Sequence, residues 1–300
     1  MGYPYFIAAV SVVLHLPFWL ALWFVACSSS FASVVLASRL LGPWVAAYFA
    51  LTNFAWLQLS FLGGSEPLAV ALGLGALWMF RRDRIFWAGL LGSLAVVVRP
   101  LMIFVLLGVG LTLFYRKRYR ALVLATATAL AIGVLHSLPQ AIYFHDPLAT
   151  VHSYTSRDYG AAAVSGPHGH LFGWPFHAIV MGTIIYPAPW TNLIVSFFWI
   201  GLVLLGVVMM FSRRFREYAH EYPNEATFCG CYLLAIFCYD YLVWARGNFM
   251  RFSIPALPFV FYALLPWLPK RRWFIGILAI AAPILAAVSA LGVRNVMGGR

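Results

Sequence analysis

Charge is scarce in this sequence: of 300 residues only 9% are Asp, Glu, Lys or Arg, where a water-soluble domain carries about 25%. With 63% of the residues hydrophobic, too little polar surface remains to cover a soluble core, so the ordinary globular classes are excluded. Acidic residues are the scarcest, 8 against 20 Lys and Arg, for a net charge of +12. That excess would suggest nucleic acid in a soluble chain, but a nucleic-acid reader needs a basic face on a polar surface. Here the basic residues stand in short knots between apolar blocks, and no nucleic acid is expected. Cysteine is limited to Cys27, Cys229, Cys231 and Cys238, all in apolar runs and none in a C-x-x-C pair, which removes zinc-ribbon and dithiol redox chemistry and leaves small core residues. The sequence contains no P-loop, no G-x-G-x-x-G after a strand, no H-E-x-x-H and no G-x-S-x-G, so nucleotide-driven transport and standard hydrolase chemistry lack their motifs. Repeats, polar linkers and low-complexity tracts are absent as well, and residues 1–300 read as one integral membrane domain.

What is present is apolar sequence in block after block. A spanning helix takes about 20 apolar residues, and ten segments are expected near residues 19–41, 43–62, 66–80, 85–98, 101–115, 121–144, 191–212, 226–244, 253–269 and 273–292. The fold class expected is therefore all-α, a polytopic transmembrane helical bundle. The third to fifth segments reach only about 21 to 23 Å at 1.5 Å per residue, short of a roughly 30 Å hydrocarbon core. Helices that short belong beside protein or a water-filled cavity.

Alternating sides puts Arg39, Arg81, Arg82, Arg84, Arg116, Lys117, Arg118, Arg120, Arg213, Arg214, Arg216, Lys270, Arg271 and Arg272 on one face. Arg99, Arg157, Arg246, Arg251, Arg294 and Arg300 fall on the other, so the positive-inside rule makes the first face cytoplasmic. The longest polar stretch, within an outer-face loop at 145–190, lies on the second face, and its part from Leu171 to Trp190 has the Trp, Phe, Pro and Gly content of an interfacial or re-entrant segment. Arg213 to Glu225 reads as a solvated cytoplasmic loop. Residues 4–17 read as a short outer-surface helix broken at Pro17. The opening residues carry no basic n-region, so a removable signal peptide is not expected. With no organelle signal, a bacterial inner membrane is the expected location.

Ionisable groups at membrane depth face a cavity or a partner and are functional candidates. Glu66 follows Gly63, Gly64 and Ser65 and precedes Pro67, where Ser65 can cap and Glu66 can favour the first turn. Arg99, before Pro100 between two short helices, is within reach of a phosphate or carboxylate. Arg246 and Arg251, in Ala-Arg-Gly-Asn-Phe-Met-Arg-Phe, suit an anion because a guanidinium holds phosphate oxygens in a bidentate fork. The outer loop gathers His145, Asp146, His152, Tyr154, Arg157, Asp158, His168 and His170; Asp146 and Asp158 are candidate bases, His145, His152, Tyr154 and Arg157 candidate substrate contacts, His168-Gly-His170 reads as a polar turn, and a divalent metal is possible although no ligand set is defined. Asp240 is expected to pair with Arg246 or Arg251. His15 and His136 read as lone core imidazoles.

Between Gly64 and Tyr115 these features form a pattern. Ser65-Glu66-Pro67-Leu68, a short helix ending in Arg81-Arg82-Asp83-Arg84, the run Trp87 to Ala95, then Arg99-Pro100 and another short helix ending in basic residues resembles membrane glycosyltransferases of the GT-C class. The pattern is most similar to mannosyltransferases that use polyprenyl-phosphate sugars, including the GPI mannosyltransferase II type. Arg251-Phe252-Ser253-Ile254-Pro255-Ala256-Leu257-Pro258 resembles a late segment of the same class. The resemblance covers most of the chain by topology and about 60 residues by motif. It implies inverting transfer of a sugar from a lipid-linked phosphate donor to an unidentified acceptor at the non-cytoplasmic face. An acidic residue (Glu66, Asp146 or Asp158) would take the acceptor proton, and Arg99, Arg246 and Arg251 would hold the departing phosphate. The family's leading acidic residue lies in an outer loop after the first helix, and only three residues precede Pro4 here. The reading is therefore of a member shortened at its amino terminus. A non-catalytic membrane subunit and a lipid or solute transporter are the alternatives.

Overall fold

The structure, a computed structural model, describes residues 2–149, 172–180, 190–239 and 249–284. Those residues are helical almost throughout. The helices are α1 (Tyr3–Val13), α2 (Phe18–Leu41), α3 (Pro43–Thr52), α4 (Phe54–Leu62), α5 (Glu66–Arg81), α6 (Ile85–Val98), α7 (Ile103–Tyr115), α8 (Tyr119–Phe144), α9 (Trp190–Met209), α10 (Arg213–Glu221), α11 (Pro223–Cys238), α12 (Phe249–Ser253) and α13 (Leu257–Leu264), followed by α14 (Arg272–Ile284). Among the described residues, α2 and α8 are each long and apolar enough to cross a membrane, and the number rises to four if each bent helix pair is one crossing. The chain thus has the helices of a membrane protein. The remaining apolar helices are shorter than a bilayer is thick.

Several expected segments are broken. Residues 43–62 form not one straight helix but α3 and α4, bent by 77°, because Asn53 interrupts the apolar run: its side chain accepts a hydrogen bond from Trp56 N at 2.9 Å and starts a new helix. The expected crossing at 253–269 is also interrupted: α12 ends at Ser253, Pro255 stands between it and α13, and Pro258 falls in the first turn of α13, where its missing N–H has no helical partner. The region Arg213–Glu225 is not a solvated loop. A 76° bend after α9 leads into α10, where Ser212 caps through Phe215 N and Phe215 and Tyr218 point inward. The expected crossing at 226–244 starts earlier, at Pro223, and its described helix ends at Cys238.

The core draws on most of the helices, α2 to α7 and α9 to α13, with Phe49 of α3 on Trp56 of α4 (4.5 Å between ring centres) and Phe228 on Tyr232 and Phe259 among its largest fully buried contacts. α8 packs on α6 and α7 and leaves Leu130, Val134, Leu135 and Leu138 exposed, as a lipid-facing helix does. Where α7 meets α11 the backbones touch: a Cβ on Gly108 would collide with the carbonyl of Asn224. α1 is present as expected, with the residue before it pinned by Gly2 N to Val97 O at 2.8 Å. His15 lies in the turn after α1, exposed and left-handed (φ 51°), and is not a core residue. His136 is half-buried, edge-to-face with Tyr5 at 6.3 Å. Of the four thiols, all free, Cys229 is buried and the others are half-buried.

The described part of the outer loop, 172–180, lies against the end of α11. Gly173 N donates to Cys238 O (2.7 Å) and Phe176 N to Phe237 O (2.8 Å), while Trp174 projects outward.

Candidate functional site

α5 begins after Gly63, which ends α4 in the left-handed conformation (φ 92°); glycine adopts it without strain. Ser65 occupies the cap position, but its side chain makes no capping hydrogen bond, contrary to expectation. Pro67 fits the first turn because its missing N–H has no helical partner there. The turn carries Glu66 into the protein, with its side chain 0% exposed.

Two guanidinium groups from separate helices reach Glu66. Arg99 ends α6 in an extended conformation ahead of Pro100, as the residue before a proline tends to be, and its Nη1 lies 2.5 Å from Glu66 Oε1. Arg251, on α12, donates from Nε to the same oxygen. The position of α12 is set by two side chains flanking Arg251. Asn53 donates from Nδ2 to Met250 O (3.2 Å), and the Tyr232 hydroxyl donates to Phe252 O (2.9 Å). The break at Asn53 is therefore what brings the late arginine to the early glutamate. Phe252 stands beside both arginines, 5.2 Å from the Arg99 guanidinium carbon and 6.0 Å from that of Arg251.

The cluster holds one carboxylate and two guanidinium groups, a formal excess of one positive charge. Arg99 is nearly enclosed (12% exposed) whereas Arg251 is 41% exposed, so the cluster opens on the Arg251 side. Such an arrangement can fix two forks in place with one carboxylate and offer their remaining N–H donors to an anion. A carboxylate shared by two guanidinium groups is a poor proton acceptor, since both cations favour its ionised form. Glu66 is better suited to holding the arginines than to acting as a base.

Three expected site residues, Glu66, Arg99 and Arg251, are thus brought together. Arg246, His152, Tyr154, Arg157 and Asp158 lie outside the described residues, as do His168, His170 and Asp240. His145 closes α8 in the left-handed conformation (φ 53°), and Asp146 Oδ1 accepts from Leu148 N at 2.9 Å, turning the chain away from that helix. Among the described residues no group of three or more His, Cys, Asp or Glu side chains is placed to hold a metal ion.

A second buried ionic cluster was not expected. At the far end of α5, Arg81 donates from Nε to Glu225 Oε1 (2.5 Å) and from Nη2 to Glu225 Oε2 (2.8 Å), in a bidentate pair. Tyr218 of α10 donates its hydroxyl to Glu225 and accepts from Arg81 Nη2 at 3.1 Å. The Arg81 guanidinium also stacks 3.5 Å from the ring centre of Tyr222. Burial, with the Glu225 charge adding to it, raises the Tyr218 phenol above its ordinary range, so the hydroxyl remains a donor at any physiological pH. The 3,4 spacing of Phe215, Tyr218 and Tyr222 is the sequence signal that could have identified α10 as an amphipathic helix.

Compared with protein-family models, curated proteins and solved structures, the chain has no match.

Proposed function

We propose that the protein is a membrane glycosyltransferase of the GT-C kind. It would transfer a mannose-like sugar from a polyprenyl-phosphate donor to an acceptor hydroxyl on the face opposite its basic end, in a bacterial inner membrane. The observation that carries this reading is the meeting of Glu66, Arg99 and Arg251 at one partly open cluster with an excess positive charge. In such a transfer the bond from the sugar C1 to the phosphate oxygen breaks and the lipid phosphate leaves as a monoester, gaining negative charge. Preorganised guanidinium donors stabilise the charge that develops there. Glu66 serves by fixing Arg99 and Arg251, Asn53 and Tyr232 by fixing the backbone around Arg251. The acceptor proton passes to a second carboxylate, for which Asp146 and Asp158 are the candidates.

The test is reconstitution of the complete native chain with a panel of labelled polyprenyl-phosphate sugars, following formation of a new glycosidic product. Transfer that falls at least about 100-fold on Arg99→Ala or Arg251→Ala supports the reading; no transfer from any donor refutes it. The full enclosure of Glu66 between two arginines also suits a purely architectural ion pair, and thus a non-catalytic membrane subunit. Copurification with a partner that performs the transfer, and none by the chain alone, would favour that second reading.

A further inference from the structure

Glu66 Oε1 is held by both arginines, but the other oxygen of the same carboxylate, Oε2, is buried with no hydrogen-bond partner. Arg99 Nη1, although 2.5 Å from Oε1, is not aligned to donate to it and is also without a hydrogen bond. A third such atom belongs to Tyr3, whose hydroxyl is buried and unpaired. Tyr3 is brought to this place by the bond from Gly2 N to Val97 O, two residues before Arg99, and its phenol lies within range of the Glu66 charge. Beside Oε2 the chain has Gly64, where an added Cβ would stand 2.8 Å from that oxygen.

Buried polar atoms are seldom left unpaired in native proteins, because each costs the desolvation of its group. Only five buried side-chain atoms lack a hydrogen bond among the described residues, and three of them belong to Tyr3, Glu66 and Arg99. Their chemistry is complementary in a specific way. A carboxylate oxygen accepts, a guanidinium N–H donates, and a phenol does either. An anion would be opposed by Oε2, and an ammonium by Arg99. A neutral hydroxyl suits all three, donating a hydrogen bond to Glu66 Oε2 without giving up its proton and accepting from Arg99 Nη1 and the Tyr3 hydroxyl.

We infer that Tyr3, Glu66 and Arg99 form a binding site for a single alcohol hydroxyl, distinct from the side of the cluster where Arg251 is open to an anion. This inference deepens the function proposed above, naming the acceptor-side chemistry, and it rests on that reading only for the identity of the alcohol as a substrate. Tyr3 is then a positioning residue, and α1 is the element that completes the site.

The test uses the purified chain in dodecyldimethylamine oxide micelles, which carry no hydroxyl groups. Its melting temperature is compared in 1-octanol and, at equal concentration, octyl methyl ether, which can accept but not donate. For the wild type, octanol is expected to raise the melting temperature over the ether by about 2 to 4 °C at tenfold saturation, and the difference is expected to vanish in Tyr3→Phe. Equal shifts from alcohol and ether overturn the inference. So does the absence of an octanol effect, and Tyr3→Phe then tells why: a lowered melting temperature assigns the site to a structural water, an unchanged or raised one leaves the phenol with no ligand. The wild-type comparison decides by itself should Tyr3→Phe fail to fold. No sugar donor enters this assay. An octanol effect without transfer in the donor panel counts against the enzyme reading alone, and transfer without an octanol effect counts against the hydroxyl site alone.

Discussion

Glu225→Gln keeps the shape of a side chain that is 0% exposed while removing the charge that Arg81, 15% exposed, is paired with. Three hydrogen bonds meet at this carboxylate, two from Arg81 and one from Tyr218, and breaking a buried pair of this sort costs about 3 to 5 kcal/mol. The lower end applies to Glu225→Gln, because Arg81 keeps its stacking on Tyr222, worth about 0.5 to 2 kcal/mol. Arg81→Met should cost the upper end, since it leaves a fully enclosed carboxylate with Tyr218 alone. The double variant Arg81→Met, Glu225→Gln should be less destabilised than the sum of the two by about 2 to 3 kcal/mol, within the range of coupling seen for contacting residues. The assay is a double-mutant cycle on SDS-induced unfolding in mixed micelles, followed by tryptophan fluorescence. Single variants each within about 0.5 kcal/mol of wild type, the range of an ordinary surface change, and strictly additive in the double, would refute the claim that this pair fastens α10 and α11 to α5.

The three remaining predictions also concern stability. Above about pH 10, where an unfolded tyrosine ionises, the folded Tyr218 retains its proton; stability should therefore fall as pH rises from that point, and Tyr218→Phe should flatten the fall in unfolding midpoints measured between pH 9 and 11. Gly108→Ala should destabilise by about 1 to 3 kcal/mol through overpacking against Asn224. Gly133→Ala, facing open space in α8, should instead stabilise by up to about 1 kcal/mol through helix propensity, and the same unfolding assay compares them.

The meeting of Glu66, Arg99 and Arg251 could be anticipated because ionisable residues in apolar sequence stand out, and alternation of short helices placed all three on one face. Their connection through Asn53 could not be read the same way. A single polar residue inside an apolar run of twenty looks like a tolerated exception, and only the hydrogen bond to Met250, 197 positions away in sequence, gives it a role. The Arg81, Glu225 and Tyr218 cluster was hidden for the opposite reason. Charge dominates the sequence around α10, and a polar reading of 213–225 overlooks Phe215 and Tyr218, which bury one helical face, and Tyr222 just after them. Helix number suffered from the same difficulty in another form: hydropathy marks apolar blocks but not the bends at Asn53, Pro255 and Ser212 that divide them.

Helix α5 carries a buried ion at each tip, Glu66 at one and Arg81 at the other, about 22 Å apart at 1.5 Å per residue. A rod bolted at both ends can neither slide along its axis nor turn about it without shearing a guanidinium from a carboxylate at one extremity or the other. Glu66 and Arg81 therefore belong to one rigid helix, and the arginine fork and the Glu225 pair share it as a common support.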